Sequence, residues 1–483
     1  MKRKIALALT MAMLGTCLAG CGQVDTDTNA STEAAGTAAA ETTESEKEWY
    51  GTEDGKTITL HFWGGVQPEY GYDDLCANFN EEYKDKGLQV EYVRYVNDDN
   101  GNLQLETYLM GGGDVDLFIG YGGRAKMDKR VDSNLLLDMS GMLNDIGFNL
   151  DDELGVANMA EYHYDDGAVY GFPTKYENSR WILINEDMFK EAGLDIPYDG
   201  WTYSEFLAAA EKLTHGEGQD KVYGVCWARK QSGNSILNAL DAVLGANQIY
   251  KNEEGTEVNF DNDVYRAGLN LVKETLDKGY AIPIEDEFSE DLSVANTFLQ
   301  GKCAIMLGVA QMRLCMDQEN YPHDFMTALV PAPVPDDEKY NTEFYRKQIG
   351  TTGAGDLLSI SANTKYPEAS FEFAMWYLKG GMSPLVQGGR IPLWNGVNKD
   401  EVLSVLKEKA QGSIDMDSME NYLSLDTTQG VAAIKGHASS EIRSAWFEEF
   451  DAMCYGKQSA DQTVQNMEKR GNELIQTELS SQK

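Results

Sequence analysis

Aromatic and amide side chains follow two of the apolar, strand-like segments near the start of this sequence. Trp63 and Gln67 come at and after the first segment, and Tyr121 follows the third. Ligands of open α/β sheets bind beyond the carboxyl ends of strands, so these side chains are the first candidates for a binding site. An aromatic face packs against the apolar surface of a small ligand, and neighbouring amide or hydroxyl groups hydrogen-bond its polar edge. Trp63 and Tyr121 have an alternative role as core residues at strand ends.

Catalytic and metal-binding patterns are not evident in the sequence. It has no Gly-x-Ser-x-Gly and no His-Glu-x-x-His motif, and its five histidines are scattered singly at positions 61, 163, 215, 323 and 437. Paired carboxylates of a secreted glycoside hydrolase cannot be recognised from sequence, so that enzyme class stays open as an alternative. We assign no cofactor, no metal and no catalytic residue, and we expect a binding protein and not an enzyme.

The N-terminus has the features of an export signal. Lys2, Arg3 and Lys4 precede an uncharged apolar run that ends in Leu-Ala-Gly-Cys at Cys21. This arrangement resembles a bacterial lipobox, which predicts a signal peptide over residues 1–20 and lipidation of Cys21, with an ordinary cleaved signal as the alternative. Residues 21–55 are mostly small and polar, so we expect a flexible tether between the lipid and the globular part. The protein would then be anchored to the membrane without crossing it.

The charge and the cysteines limit the possible partners. A formal net charge of -39 excludes nucleic acid and favours solubility outside the cell. It also leaves open a polyamine or another small polar solute as the ligand. Five cysteines lie beyond the signal, at positions 76, 226, 303, 315 and 454, and an odd number cannot all be bridged within one chain. Cys303 and Cys315 lie in or beside apolar runs and are expected to be buried thiols.

Strand-like and helix-like segments alternate along the globular region, which begins near Lys56. Strands are predicted at residues 57–63, 88–95 and 115–119 with helices between them, an order typical of a parallel α/β sheet. Thr202 and Glu205 form a capping box, and Trp201 and Phe206 are placed to staple the same helix start. Helices are also predicted behind Pro367 and over residues 441–476, the latter interrupted near residue 456. The length of the region indicates two lobes.

Three ordered motifs within forty residues carry a family resemblance: GAVYGFPT at residues 167–174, INEDMFKEAGL at 184–194 and WTYSEF at 201–206. With looser matches at residues 113–117, 298–306 and 456–459, the sequence resembles bacterial extracellular solute-binding proteins of the sugar-binding kind, which include the maltose-binding proteins. The resemblance implies an α/β, two-lobed periplasmic-binding-protein-like fold with a hinge, in which each lobe is a mostly parallel sheet flanked by helices. Hinges are expected near Pro173 and at residues 331–335.

The resemblance also implies the lobe boundaries and the partners. One lobe is expected at residues 56–172 plus 340–385, and the other at 173–335 plus 386–483. The protein would capture a carbohydrate, such as an oligosaccharide, in the cleft between the lobes, as a monomer. It would deliver this ligand to the permease subunits of an ABC transporter, from the extracellular face of a Gram-positive-like cell membrane.

Further site residues follow from the same resemblance. Tyr176 and Glu177 leave the first hinge, where the family contacts its ligand, although Glu177 could instead pair with Arg180 on the surface. Trp227 occupies a place where the family often has a stacking aromatic, with core packing as the alternative. The remaining candidates are Gln311, where maltose-binding proteins carry a stacking tryptophan; Arg390 and Trp394, in a loop that closes over ligand in relatives; and Arg443, at the start of a late helix. The planar fork of Arg390 suits vicinal hydroxyls or a sugar-acid carboxylate, with a surface position as the alternative.

Overall fold

The computed structural model describes most of the globular region. The described residues are 49–96, 99–155, 159, 162–176, 180–231, 236, 239, 249–252, 254–347, 356–410, 412–424 and 436–481. The strands are β1 (Ile58–Gly64), β2 (Leu88–Arg94), β3 (Leu117–Gly120), β4 (Phe172–Pro173), β5 (Lys175–Tyr176), β6 (Trp181–Asn185), β7 (Tyr223–Cys226), β8 (Cys303–Leu307), β9 (Thr327–Pro331), β10 (Leu357–Ile360) and β11 (Ile391–Pro392).

The strands form two main sheets and one short pair. The first sheet has the order β2-β1-β3-β10-β4, the second has the order β7-β8-β6-β9, and β11 pairs with β5. The centre of the first sheet is aromatic: the Phe62 ring of β1 lies 5.2 Å from the ring centroid of Phe373 and 5.6 Å from that of Tyr377. Phe62 has no exposed surface, so this cluster anchors one side of the sheet in the core.

Each sheet contains one strand that runs against the others. β1 pairs in parallel with β2 and β3, whereas β10 lies antiparallel between β3 and β4. In the second sheet β7 and β8 are parallel, and β6 lies antiparallel between β8 and β9. β6 and β10 are the strands by which the chain enters one sheet after leaving the other. These two strands therefore start at the edge where the other strands of their sheet end. The carboxyl ends of the other strands thus lie where the chain passes between the sheets, a region that we call the crossing.

The helices flank these sheets. The α-helices are α1 (Tyr72–Tyr83), α2 (Asp99–Met110), α3 (Gly123–Asp132), α4 (Ser140–Asp145), α5 (Leu150–Leu154), α6 (Glu186–Glu191), α7 (Tyr203–Leu213), α8 (Asp263–Asp277), α9 (Ile284–Ser289), α10 (Met312–Met316), α11 (Glu343–Lys347), α12 (Pro367–Trp376), α13 (Lys399–Ala410), α14 (Met416–Leu423), α15 (Ser439–Cys454) and α16 (Ala460–Ser481). Short 3-10 helices lie at Pro68–Tyr70, Lys84–Lys86, Gly218–Asp220, Val309–Gln311 and Ser383–Gly388, and π-helical turns at Val294–Phe298 and Tyr377–Gly381.

The start of α7 has the local structure that the sequence predicts. The Thr202 side chain accepts the backbone N–H of Glu205, and the Glu205 carboxylate accepts the backbone N–H of Thr202. The ring centroids of Trp201 and Phe206 are 5.0 Å apart, which confirms the hydrophobic staple. The Trp201 indole also donates to the Pro331 carbonyl at the end of β9, so the staple ties α7 to the second sheet.

Other local predictions are also confirmed. Pro367 occupies the first turn of α12, and the C-terminal helical region is divided into α15 and α16 by a turn in which Gly456 has a φ of 69°. Cys303 and Cys315 are buried, and all five cysteines of the described chain are free thiols. No helix in the described part of the chain has both the length and the apolar character needed to cross a membrane.

Candidate functional site

A buried cluster of charged side chains lies where the chain passes between the two sheets. Lys175 is in β5, Asp356 immediately precedes β10, and Arg390 immediately precedes β11. β11 pairs with β5 through Pro392 and Lys175, so the pairing brings Arg390 next to the first crossing segment. The Asp356 carboxylate accepts a hydrogen bond from Arg390 Nη1 at 2.6 Å, and Lys175 Nζ lies 3.4 Å from the same oxygen.

The electrostatics of this cluster favour the charged forms. Asp356 is 7% exposed and Arg390 is 9% exposed. Burial alone would raise the pKa of Asp356, but Lys175 and Arg390 outweigh it and hold that pKa below its ordinary value. The carboxylate is therefore ionised at neutral pH and fixes the guanidinium at the crossing.

Tyrosine side chains surround Arg390 on the side of the first sheet. Tyr121, which directly follows β3, accepts the backbone N–H of Gly65 at 3.0 Å. Tyr72 and Tyr377 are fully buried nearby, and burial raises the pKa of all three tyrosine hydroxyls while Arg390 partly opposes that rise. Of these tyrosines only Tyr121 is partly exposed, so its hydroxyl and the Arg390 guanidinium are the groups at this carboxyl edge that could hydrogen-bond a polyhydroxylated ligand.

The facing wall comes from the segment that follows β8 in the second sheet. Gln311 ends the 3-10 helix at Val309–Gln311, and its side-chain oxygen accepts a hydrogen bond from Arg313 Nη2 at 3.4 Å. Arg313 packs against the loop that carries Arg390: a β-carbon built on Gly389 would lie 3.2 Å from Arg313 Cβ. The Arg313 guanidinium and the Gln311 amide of the second sheet therefore lie beside the loop that carries the Arg390 guanidinium.

A direct hydrogen bond joins the two walls. Tyr70 lies between β1 and α1 on the side of the first sheet, and its hydroxyl donates to Asp317 Oδ2 at 2.8 Å. Asp317 follows α10 on the side of the second sheet and also accepts the backbone N–H and the side-chain amide of Asn320. Because its partners are attached to different sheets, this bond stabilises the arrangement in which the two walls are close together.

We expect Tyr70→Phe to shift the protein toward an open arrangement by about tenfold, since a hydrogen bond to a charged group contributes about 1.5 kcal/mol or more. Solution scattering of the ligand-free protein should show a larger radius of gyration. Tyr198→Phe is the matched control, because it removes a hydrogen bond to Asp415, whose backbone N–H bonds the Thr327 carbonyl of the second sheet. Equal radii for both variants and the unchanged protein would contradict the interlobe role of Tyr70.

The structure brings together some of the residues that the sequence singles out. Tyr121 and Arg390 share the buried cluster, and Gln311 lies on the facing wall beside Arg313. Gln67 is partly exposed at the turn after β1, where its carbonyl accepts the backbone N–H of Tyr70. These residues surround the crossing, and their contact with a ligand remains a prediction.

The other candidates lie in different surroundings. Trp63 is 4% exposed and donates to the Asp114 carbonyl, and Trp227 is 5% exposed and donates to the Thr275 hydroxyl. Tyr176 is buried, and its hydroxyl donates to the Tyr422 carbonyl. The indole of Trp394 donates to Glu153 of α5, Arg443 is exposed on α15, and Glu177 and Cys21 lie outside the described residues.

Sequence reasoning missed Lys175, Asp356, Arg313, Tyr70 and Asp317. Asp356 had a usable signal, because it directly precedes a mainly apolar strand, and a carboxylate beside a buried strand is expected to need a partner. The pairing of Lys175 and Arg390 with it could not be foreseen, since the three residues meet only through the contact between β5 and β11. In the described part of the chain, no three His, Cys, Asp or Glu side chains are grouped in a way that could hold a metal ion.

Comparison with known proteins agrees with this architecture. The sequence profile of the family described as bacterial extracellular solute-binding protein matches residues 64–379. A similar solved structure is an ABC substrate-binding protein from Listeria monocytogenes in complex with cycloalternan, with a TM-score of 0.65 and 17% identity over 86% of this chain and 98% of that one.

Two further solved structures have the same architecture. The GacH receptor of Streptomyces glaucescens, which was solved unliganded and with acarbose, has a TM-score of 0.63 and 16% identity over 87% of this chain and 99% of that one. Maltose-bound MalE3 of T. maritima has a TM-score of 0.63 and 16% identity over 86% of this chain and 100% of that one. At these identities the similarity establishes the two-lobed fold.

Proposed function

This chain belongs to the bacterial extracellular solute-binding proteins, and from that premise we propose that it captures a carbohydrate between its two sheets for import by an ABC transporter. The observation that carries the proposal is that Arg390 and Tyr121 on the side of the first sheet lie near Arg313 of the second, whose guanidinium donates to Gln311. Guanidinium, hydroxyl and amide groups there can donate to and accept from sugar hydroxyls. The solved relatives bound to cycloalternan, acarbose and maltose support the choice of a carbohydrate.

The proposed mechanism depends on the fact that the candidate site residues are attached to two different sheets. Tyr121 and Tyr70 are attached to the first sheet, and Gln311 and Asp317 to the second. A ligand that touches both walls binds the closed arrangement more tightly than the open one, so it shifts the population toward closure. The closed protein is then the form that a permease would recognise.

Calorimetric titration of the purified globular region with a panel of neutral and acidic oligosaccharides tests the proposal. We expect saturable binding of at least one sugar, and we expect Tyr121→Phe to weaken that binding. A panel of polyamines is the necessary comparison, because the net charge of -39 would also attract cations. Binding of a polyamine without binding of any sugar would contradict the carbohydrate assignment and leave the family assignment intact.

We also propose that the mature protein begins at Cys21 as a monomeric lipoprotein on the extracellular face of the cell membrane. The basic residues, the apolar run and the small residues before Cys21 support this location. Two acyl chains would suffice for stable anchoring without a membrane-spanning helix.

The lipid anchor is tested by Cys21→Ser, which should release the protein from the membrane fraction into the medium. Cys17→Ser, in the same apolar region, is the control and should leave the protein in the membrane fraction. Mass spectrometry of the mature N-terminus should find two added acyl chains on Cys21. Release of both variants, or of neither, would contradict the assignment.

A further inference from the structure

Two arginine side chains from different walls lie close together at the crossing, and the nearby acid pairs with only one of them. Asp356 accepts a hydrogen bond from Arg390 at 2.6 Å. Arg313 is partly buried, its Nε has no hydrogen-bond partner, and no carboxylate among the described residues is within ion-pair distance of its guanidinium. This arrangement is unusual in a chain with 79 acidic and 40 basic residues, in which acids are abundant.

This arrangement destabilises the charged form of Arg313. Burial lowers the pKa of its guanidinium, and the positive charge of Arg390 lowers it further; the negative charge of Asp356, which is already paired with Arg390, offsets only part of this. A partly buried cation without an acid beside it is destabilising unless an anion neutralises it. The counter-charge that this place lacks could come from a ligand held between the two walls.

We propose that the captured carbohydrate carries an anionic group, a uronate carboxylate or a sulfate ester, and that Arg313 binds it. This inference rests on the proposed function and specifies its ligand class. A planar guanidinium pairs with a carboxylate or sulfate through two parallel N–H···O bonds, which a neutral hydroxyl cannot match in strength. The anion would also relieve the repulsion between Arg313 and Arg390, so it would favour the closed arrangement over the open one.

Titration calorimetry with matched sugars tests the inference. The probes are digalacturonate, a sulfated galactobiose and unmodified galactobiose, followed by the same comparison for any other sugar that the wider panel identifies. We expect an acidic sugar to bind at least about 10-fold more tightly than its neutral counterpart. Arg313→Gln should remove this preference, and Arg313→Lys should restore part of it, because lysine keeps the charge without the fork.

Arg266→Gln is the matched control, because the Arg266 guanidinium already pairs with Asp261, Asp263 and Asp461 on a different part of the surface. It should leave the preference unchanged. Equal or tighter binding of the neutral sugar, or a preference that survives Arg313→Gln, would overturn the anionic ligand while leaving carbohydrate capture standing. Failure of every sugar to bind would contradict the proposed function itself. The relative response to uronate and sulfate identifies which anion is recognised.

Discussion

Replacing Asp356 with asparagine is expected to lower the free energy of unfolding by about 3–5 kcal/mol, the range for removing one partner of a buried ion pair. Asp356 is 7% exposed and is shared by Arg390 and Lys175. The asparagine would leave both cations at the crossing without this carboxylate. Urea denaturation at neutral pH, followed by tryptophan fluorescence, would measure the loss.

Asp277→Asn provides the control for this change, because Asp277 forms an exposed i,i+4 pair with Lys273 on α8. Its loss should cost about 0.5 kcal/mol or less. A similar cost for Asp356→Asn would show that the cluster at the crossing does not depend on the carboxylate. Arg390→Lys at the same place should be less damaging than Asp356→Asn, since the pair keeps its opposite charges.

The second large effect concerns the buried carboxylate of Glu287 in α9. Its side chain is 1% exposed, accepts the backbone N–H of Lys230 at 3.2 Å and lies 3.7 Å from the thiol of Cys226. Burial raises its pKa from an ordinary 4.5 to about 7, although the hydrogen bonds and Arg229 oppose the rise. Below pH 4.5 the group is neutral in both the folded and unfolded states, and ionisation carries no penalty.

Between pH 4.5 and about 7 the unfolded chain ionises Glu287 while the folded protein keeps it protonated, so the folded protein loses about 3 kcal/mol of stability relative to an always-neutral group, and the loss is complete once the pH passes about 7. We therefore expect Glu287→Gln to gain about 3 kcal/mol over the unchanged protein between pH 4 and pH 8. Urea denaturation across this pH range would measure the difference. Exposed Glu290, at the end of the same helix, provides the control Glu290→Gln. A pH-independent difference for Glu287→Gln would contradict the buried ionisation.

Local signals in the sequence were sufficient for most of the fold. The capping box at Thr202, the helix behind Pro367 and the break near Gly456 depend on neighbouring residues only, and each is present. The family assignment confirms the expectation of a solute-binding protein and not an enzyme. Both sheets are present and are mixed: all strands but one point the same way in each, and the reversed positions of β6 and β10 depend on the route of the chain between sheets. A pattern within one segment carries no information about that route.

The site was less predictable because its residues meet only in three dimensions. Tyr121 and Arg390 were proposed as candidates from a strand end and from a family loop, but Asp356, Lys175 and Arg313 make contacts between segments that are far apart in sequence. Trp63 and Trp227 were proposed as ligand contacts from local patterns that do not distinguish a binding-site residue from a core residue. A tryptophan at a strand end has the same local pattern whether its ring faces a ligand or the core, and here both indoles hydrogen-bond within the protein interior.

Hydrogen–deuterium exchange with and without a bound sugar gives the most direct test of capture between the two sheets. We predict that saturating sugar slows amide exchange on both walls at once, in the turn after β1 and the Tyr121 segment on one side and in residues 309–317 on the other. Unliganded Tyr70→Phe should exchange faster at the same segments. Slower exchange on only one wall, or at a surface remote from Arg390, would contradict the account.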